Sequence, residues 1–376
     1  MLALGSRAQC GERGLLPNPA DPAARGPYPV GSIEGSVAVP DGRLERHRDI
    51  VVEAWYPAKP GSEAGKPKLG YDIRQHVPPK QQEKLADAAN VTYQACECFR
   101  ELPVADGGPF PVVIYIHGTG AFRTESLHSQ IHWASRGFVV FAADHPGIQL
   151  RDVLGVLDGI VPPEVNQKED ARGVLKSLSR LPHSAPSFAA LAGRLDMSKV
   201  GAVGHSAGGF AVDELAADAD VLIPMAGLSP TVAPARARST LALAARNDTI
   251  VGYARELASF AKLRDLPGTD LRRFASVDAL GHLFCSDLCW IGASAGGLVE
   301  IASAHGIRAA SWFQSLGQDG CAFLNREVGS RYLEPSCGWR FVNFASAAAL
   351  EETLRCDTRM AAPLSRIKTV MPIPPE

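Results

Sequence analysis

Short apolar runs recur along the chain at near-regular spacing, with longer stretches of mixed polarity between them. The runs are Val112–Ile116, Phe138–Ala143, Val200–Gly204, Val221–Pro224, Thr240–Ala244 and Leu271–Val277. The stretches between them, Glu125–Arg136, Gln167–Leu181, Gly208–Ala217 and Gly252–Leu263, predict amphipathic helices. Nearly continuous apolar strands joined by helices build βαβ units. The expected class is therefore α/β, with a mostly parallel central sheet and helices on both faces. Ahead of them, Ile33–Val39 and Ile50–Tyr56 flank a charged turn at Asp41–Asp49 and predict an antiparallel hairpin. Ala58–Pro67, rich in Gly, Pro and Lys, predicts a loop.

No internal repeat and no linker between folded halves is visible, so residues 1–376 are expected to form a single domain. It carries an irregular, Pro/Ala/Gly-rich arm over about residues 1–29 and a Cys-containing, Gly-rich extension over about residues 284–376. With 46% hydrophobic and 21% charged residues, disorder is excluded. The 38 basic and 40 acidic residues are interspersed, which leaves no electrostatic case for nucleic acid or an anionic membrane. No apolar run approaches the roughly 18 residues that span a bilayer, and 1–14 lack the apolar core of a signal peptide.

Five of the eight cysteines fall late in the chain, at 285, 289, 321, 337 and 356. Such clustering predicts at least one disulfide among them. It implies an oxidising compartment, extracellular or periplasmic with the leader absent; the cytoplasm is the alternative. His282, Cys285 and Cys289 are close in sequence, but no second ligand pair at zinc-finger spacing follows. No metal and no cofactor is expected.

The chemistry concentrates at Gly204-His205-Ser206-Ala207-Gly208. An apolar strand leads straight in and a helical stretch leads straight out, which is the context of a nucleophile elbow. The turn is so tight that the positions two before and two after the serine must be almost free of side chain. In a chain with 36 glycines a chance G-x-S-x-G is expected on the order of a few tenths of a time, so context decides. A second match, Gly292-Ala293-Ser294-Ala295-Gly296, has no strand before it and predicts a Gly/Ala loop or helix start.

A nucleophilic serine needs a base and a group that orients the base. Beyond Ser206 only His282 and His305 are available. His282 follows the strand Leu271–Val277, whereas His305 lies in an Ala-rich stretch and predicts a surface or helix-end position. Asp248 follows the strand Thr240–Ala244, with Asp278 and Asp220 as the other acids in range. The order Ser206, Asp248, His282 is the one expected for a fold of this kind. For the oxyanion hole, the amide of Ala207 and that of Thr119 in His117-Gly118-Thr119-Gly120 are the candidate donors. His117 and His145 are expected to brace loops.

These residues resemble the α/β-hydrolase superfamily over about Pro29 to Leu283. His117-Gly118-Thr119-Gly120-Ala121-Phe122-Arg123, with Ala134-Ser135-Arg136-Gly137-Phe138-Val139-Val140, looks like the platelet-activating-factor acetylhydrolase and dienelactone-hydrolase-like esterases. Thr240–Ala244 with Asn247-Asp248-Thr249-Ile250, and Gly281-His282, are similar to the acid turn and base loop of polyester-degrading cutinases. The resemblance implies an α/β-hydrolase fold with Ser206 as nucleophile, Asp248 as acid, His282 as base, and Thr119 and Ala207 as oxyanion amides.

Two departures matter. The acetylhydrolases carry their acid at the end of the strand after the nucleophile. Here that strand ends Ile223-Pro224-Met225-Ala226-Gly227, without a carboxylate, which favours Asp248. The same region lacks the Trp with which cutinases clamp aromatic esters. The expected activity is a metal-independent serine carboxylic-ester hydrolase acting on short-chain, phospholipid-type or aliphatic polyester substrates. The alternatives are a cutinase-like polyester hydrolase and a hydrolase-fold protein that binds a ligand without turnover. The oligomeric state is not legible.

Overall fold

The computed structural model describes residues 14–41, 46–229, 236–265, 271–321 and 332–367. Its strands are β1 (Val30–Asp41), β2 (Arg46–Pro57), β3 (Gly70–Asp72), β4 (Tyr93–Ala95), β5 (Phe99–Arg100), β6 (Phe110–Ile116), β7 (Val139–Ala143), β8 (Leu195–His205), β9 (Val221–Met225), β10 (Ser239–Ala245) and β11 (Leu271–Val277). The helices are α1 (Pro79–Gln82), α2 (Leu127–Ser135), α3 (Leu150–Gly155), α4 (Gln167–Leu178), α5 (Ala207–Asp213), α6 (Tyr253–Asp265), α7 (Leu298–Ala304), α8 (Ser311–Gly320), α9 (Pro335–Leu354) and α10 (Ala361–Ser365).

Nine strands form one sheet in the order β11-β10-β9-β8-β6-β7-β2-β1-β5. From β7 to β11 every neighbouring pair is parallel, and the expected hairpin β1–β2 joins antiparallel to β7. The mostly parallel sheet is the one the strand and helix pattern predicts, and its order is that of the α/β-hydrolase fold the resemblance implies.

Both faces of the sheet are buried, which explains the uninterrupted apolar runs. Successive residues of a strand point to opposite faces. Val113 and Tyr115 of β6 accordingly pack into one core with α2 and α9, while Val112, Ile114 and Ile116 pack into the other with α4 and α5.

The stretch after residue 284, loop-like by its Gly and Cys content, differs from expectation. It contains α9, twenty residues long, whose Phe341, Val342, Ala345 and Ala348 are buried in the first core. The buried ion pair of Arg136 Nε with Glu351 Oε1 (2.5 Å) ties α9 to the end of α2. Asn18 from the N-terminal arm donates to both Arg136 O and Glu351 Oε1, at 2.9 and 2.7 Å. The expected disulfide is there as well: Cys289 is bonded to Cys321. Cys96 and Cys98 form another.

Candidate active site

Parallel strands bring their C-terminal ends to one edge of the sheet, where ligand sites of open α/β folds collect. The loops after β6, β8, β10 and β11 carry Thr119, Ser206, Asp248 and His282. The sheet order β11-β10-β9-β8-β6 sets them side by side.

Ser206 sits between the end of β8 and the start of α5 with φ 54° and ψ −119°, a backbone region that non-glycine residues rarely occupy. Its N–H is held by Met225 O at 2.9 Å. Space explains the flanking glycines. A Cβ on Gly204 would lie 2.4 Å from Gly208 O, and one on Gly208 would lie 2.1 Å from Ile116 O.

The side chains then meet in a chain of hydrogen bonds. Ser206 Oγ donates to His282 Nε2 at 2.9 Å, and His282 Nδ1 donates to Asp248 Oδ2 at 2.9 Å. All three residues are buried. The other oxygen of Asp248 accepts the amides of Ile250 and Val251 at 2.8 and 3.0 Å. Burial works against ionising this carboxylate. The hydrogen bond and charge of His282, with the two amides, outweigh burial and hold its pKa below the usual range.

The loop after β6 has one amide to spare. Gly118 N–H donates to Glu125 Oε2 at 2.9 Å and Gly120 N–H to Ile148 O at 2.7 Å. Among the described residues Thr119 N–H has no acceptor. Ala207 begins α5, so its amide has no partner within the helix. His117 braces this loop: Nδ1 donates to Gly118 O, and Nε2 accepts His145 N–H. Burial, with His145 beside it, lowers its pKa to about 4, so the ring is neutral. His145 in turn donates through Nδ1 to Asp170 Oδ2 at 3.2 Å.

The competing residues lie elsewhere. Ser294 is exposed on a single 3-10 turn with no strand leading into it. Asp278 is largely exposed and pairs with Arg246, while Asp220 accepts from Val200 N–H and Arg236. His305 ends α7 and bonds back to Ile301 O. Cys289 is taken by its disulfide and both ring nitrogens of His282 are engaged, so that trio does not form a metal site.

Sequence reasoning did not single out Glu125, or Asp319, whose Oδ2 accepts the main-chain N–H of His282 at 3.0 Å. It read His205 only as part of the elbow. These partners are 37 to 80 residues apart along the chain, with no local pattern to announce them.

A cavity of about 800 Å³ opens onto Ser206, His282 and Thr119. Its apolar wall includes Ile73, Leu85, Leu154, Ile301, Ile307 and Phe313, supplied by the segment before β4, by α3, and by α7, α8 and the connection between them. Phe313 comes so close to Gly120 that a Cβ there would lie 2.1 Å from its ring. Gly120 also has φ +70°.

Sheet order and the parallel strands give the chain the α/β-hydrolase fold. Residues 73–148 match the family of platelet-activating factor acetylhydrolase, isoform II. That segment includes the loop Gly118–Gly120 and ends before Ser206. The chain is also similar in structure to a ferulic acid esterase from Streptomyces cinnamoneus, with a TM-score of 0.58 and 20% identity over 92% of this chain and 94% of that one. No curated protein matches the chain in sequence. The structural likeness carries the fold, and the family match supports a carboxylic ester hydrolase.

Proposed function

We propose that the protein is a serine carboxylic-ester hydrolase working through an acyl-enzyme, without metal or cofactor. The observation that carries this reading is the continuous chain from Ser206 Oγ through His282 to Asp248. Ser206 Oγ attacks the ester carbonyl as His282 Nε2 takes its proton. The imidazolium so formed is stabilised by Asp248, which also fixes the tautomer. The amides of Thr119 and Ala207 receive the oxyanion, where preorganised donors in a water-poor site act most strongly. His282 then protonates the leaving alcohol, and water cleaves the acyl-enzyme by the same route reversed.

The cavity supports esters with an apolar chain that enters among Leu85, Leu154 and Ile307. Short-chain and phospholipid-type esters fit this reading; aliphatic polyesters and feruloyl esters are the further classes to try. The Cys289–Cys321 bond supports an extracellular or periplasmic location. The packing of α9 against the strands supports reading the chain as one domain.

The test is twofold. A fluorophosphonate probe should label Ser206. A panel of p-nitrophenyl esters of increasing length, extended with methyl ferulate and a short-acyl phosphocholine, should show turnover. A folded protein that neither labels nor turns over any ester would be a ligand-binding hydrolase fold instead.

A further inference from the structure

Behind the triad lies a second pair of ionisable groups. His205 and Glu125 are both about 1% exposed, with His205 Nδ1 to Glu125 Oε1 at 2.6 Å. His205 Nε2 faces the main-chain oxygen of His282 at 3.0 Å. A carboxylate oxygen and a carbonyl oxygen are both acceptors, so both ring nitrogens must carry hydrogen and the ring is an imidazolium. Glu125 Oε2 accepts from Gly118 N–H at 2.9 Å and Tyr115 O–H at 3.2 Å. A buried charge survives only when paired and hydrogen-bonded, and here every polar atom of the pair has a partner.

The pair thus touches the protein at two chosen places. Through His205 it grips the main chain of the base; through Glu125 it occupies the amide next to Thr119, leaving the Thr119 amide free. The rings of His205 and His282 lie 4.8 Å apart between centroids. We propose that Glu125 and His205 are positioning residues that lock the base loop and the oxyanion loop into one unit. The inference rests on the triad reading above. Both residues border the cavity at its floor beside Ser206, but its apolar wall comes from other segments, so loosening either residue should degrade transition-state stabilisation while leaving that wall intact.

Burial opposes the charge on His205, but the Cys285 sulfur and the Glu125 carboxylate raise its pKa well above the imidazole range. The Cys285 thiol is itself pushed up by burial, which leaves Glu125 as the partner that carries charge.

The experiment uses Glu125→Gln, His205→Gln and the double variant in the full chain. Glutamine at 125 turns one acceptor into a donor, and glutamine at 205 offers donors from one nitrogen only, so each variant frees one loop. Folded variants should lose about 10- to 100-fold in kcat with KM nearly unchanged, as a displaced reacting group does. The inhibition constant of an alkylboronic acid, which mimics the tetrahedral oxyanion, should rise in step. The double variant should be little worse than either single one. Wild-type kcat in folded variants, or losses that follow the unfolded fraction at constant boronate affinity, would overturn the proposal.

If neither variant folds, the native enzyme still decides: at pH 8.5 the ¹⁵N spectrum of the His205 ring should show two protonated nitrogens, and a neutral ring would overturn the claim. Fluorophosphonate labelling of Ser206 separates the two failures. No labelling of the wild type defeats the triad reading, whereas labelling with fully active variants defeats the pair alone.

Discussion

Asp319 Oδ2 holds the main-chain N–H of His282 at 3.0 Å. The acid belongs to α8, and its other oxygen takes the hydroxyl of Thr249, the residue after Asp248. Two residues further on, Cys321 is bonded to Cys289 on the loop that follows the base. The base loop and α8 are therefore joined twice, once by hydrogen bond and once covalently.

Breaking the covalent join should have two readable effects. The bond closes a loop with a sequence separation of 32, which is worth about 3–4 kcal/mol in the chain-entropy model. For a chain of this length that corresponds to about 4 °C in melting temperature. The Cys289→Ser/Cys321→Ser variant should melt lower by that order. It should also lose activity, with KM rising because α8 lines the cavity. An unchanged melting curve and KM would show that the bond does not restrain the site.

Replacing Ser206 by Ala should lower esterase kcat by roughly 10⁴-fold or more with the fold intact, because the acyl-enzyme cannot form. Ser294→Ala, on its exposed turn, should leave kcat within about twofold. Steady-state kinetics on a p-nitrophenyl ester compares the two, and the opposite ranking would reassign the nucleophile.

Asp248→Asn should cost roughly 10³- to 10⁴-fold in kcat, since an amide both accepts and donates and no longer fixes the tautomer of His282. Asp278→Asn should be mild, because that carboxylate is largely exposed and pairs with Arg246. Measuring kcat/KM for both variants at one pH settles which aspartate serves the base.

Stability should change with pH through a different carboxyl group. Glu256 is buried and accepts Leu228 N–H at 3.1 Å. Burial, then the charge of Asp248, raises its pKa to about 7. Asp213, which accepts Ser229 N–H at 2.6 Å, is raised in the same direction. A raised carboxyl keeps its proton in the folded state after the unfolded chain has released it. Its contribution to stability therefore falls as pH climbs from about 4.5 to about 7 and stays lost above. Glu256→Gln keeps an acceptor for Leu228 but cannot ionise. Relative to wild type it should gain about 2–3 kcal/mol between pH 4.5 and 8. Urea unfolding at the two pH values measures the difference, and parallel losses in both proteins would sink the assignment.

The central sheet was legible because β6, β7, β9, β10 and the second half of β8 are buried on both faces and so are written as nearly unbroken apolar runs between turn residues. Strand-end loops then singled out Ser206, Asp248 and His282, three residues that hydrogen bonds join in the fold. The walls of the cavity were not legible. They come from segments such as 73–92 and 298–321, where helices are only one to three turns long and too short for a hydrophobic period to show. The Ala-rich run 345–349 has strong helix propensity, so a helix was there to be read. Its place beneath β8 to β11 was not, because an apolar run does not name the face that will cover it. The Glu125–His205 pair was illegible for a simpler reason: 80 residues separate its members.

The position of α9 has a consequence for how the chain reaches this state. The first core of the sheet, with Val203, Ile223 and Leu243, is closed by residues such as Phe341 and Leu350, which follow the elbow by well over a hundred positions. During synthesis these strands are made long before their cover, at a pace of about 5–20 residues per second. For several seconds a broad apolar surface must wait uncovered, and its final contacts are among the most distant along the chain, the kind that form slowly. Nascent chains stopped short of Leu354 should therefore bind chaperones and clump, whatever the state of the residues that do the chemistry.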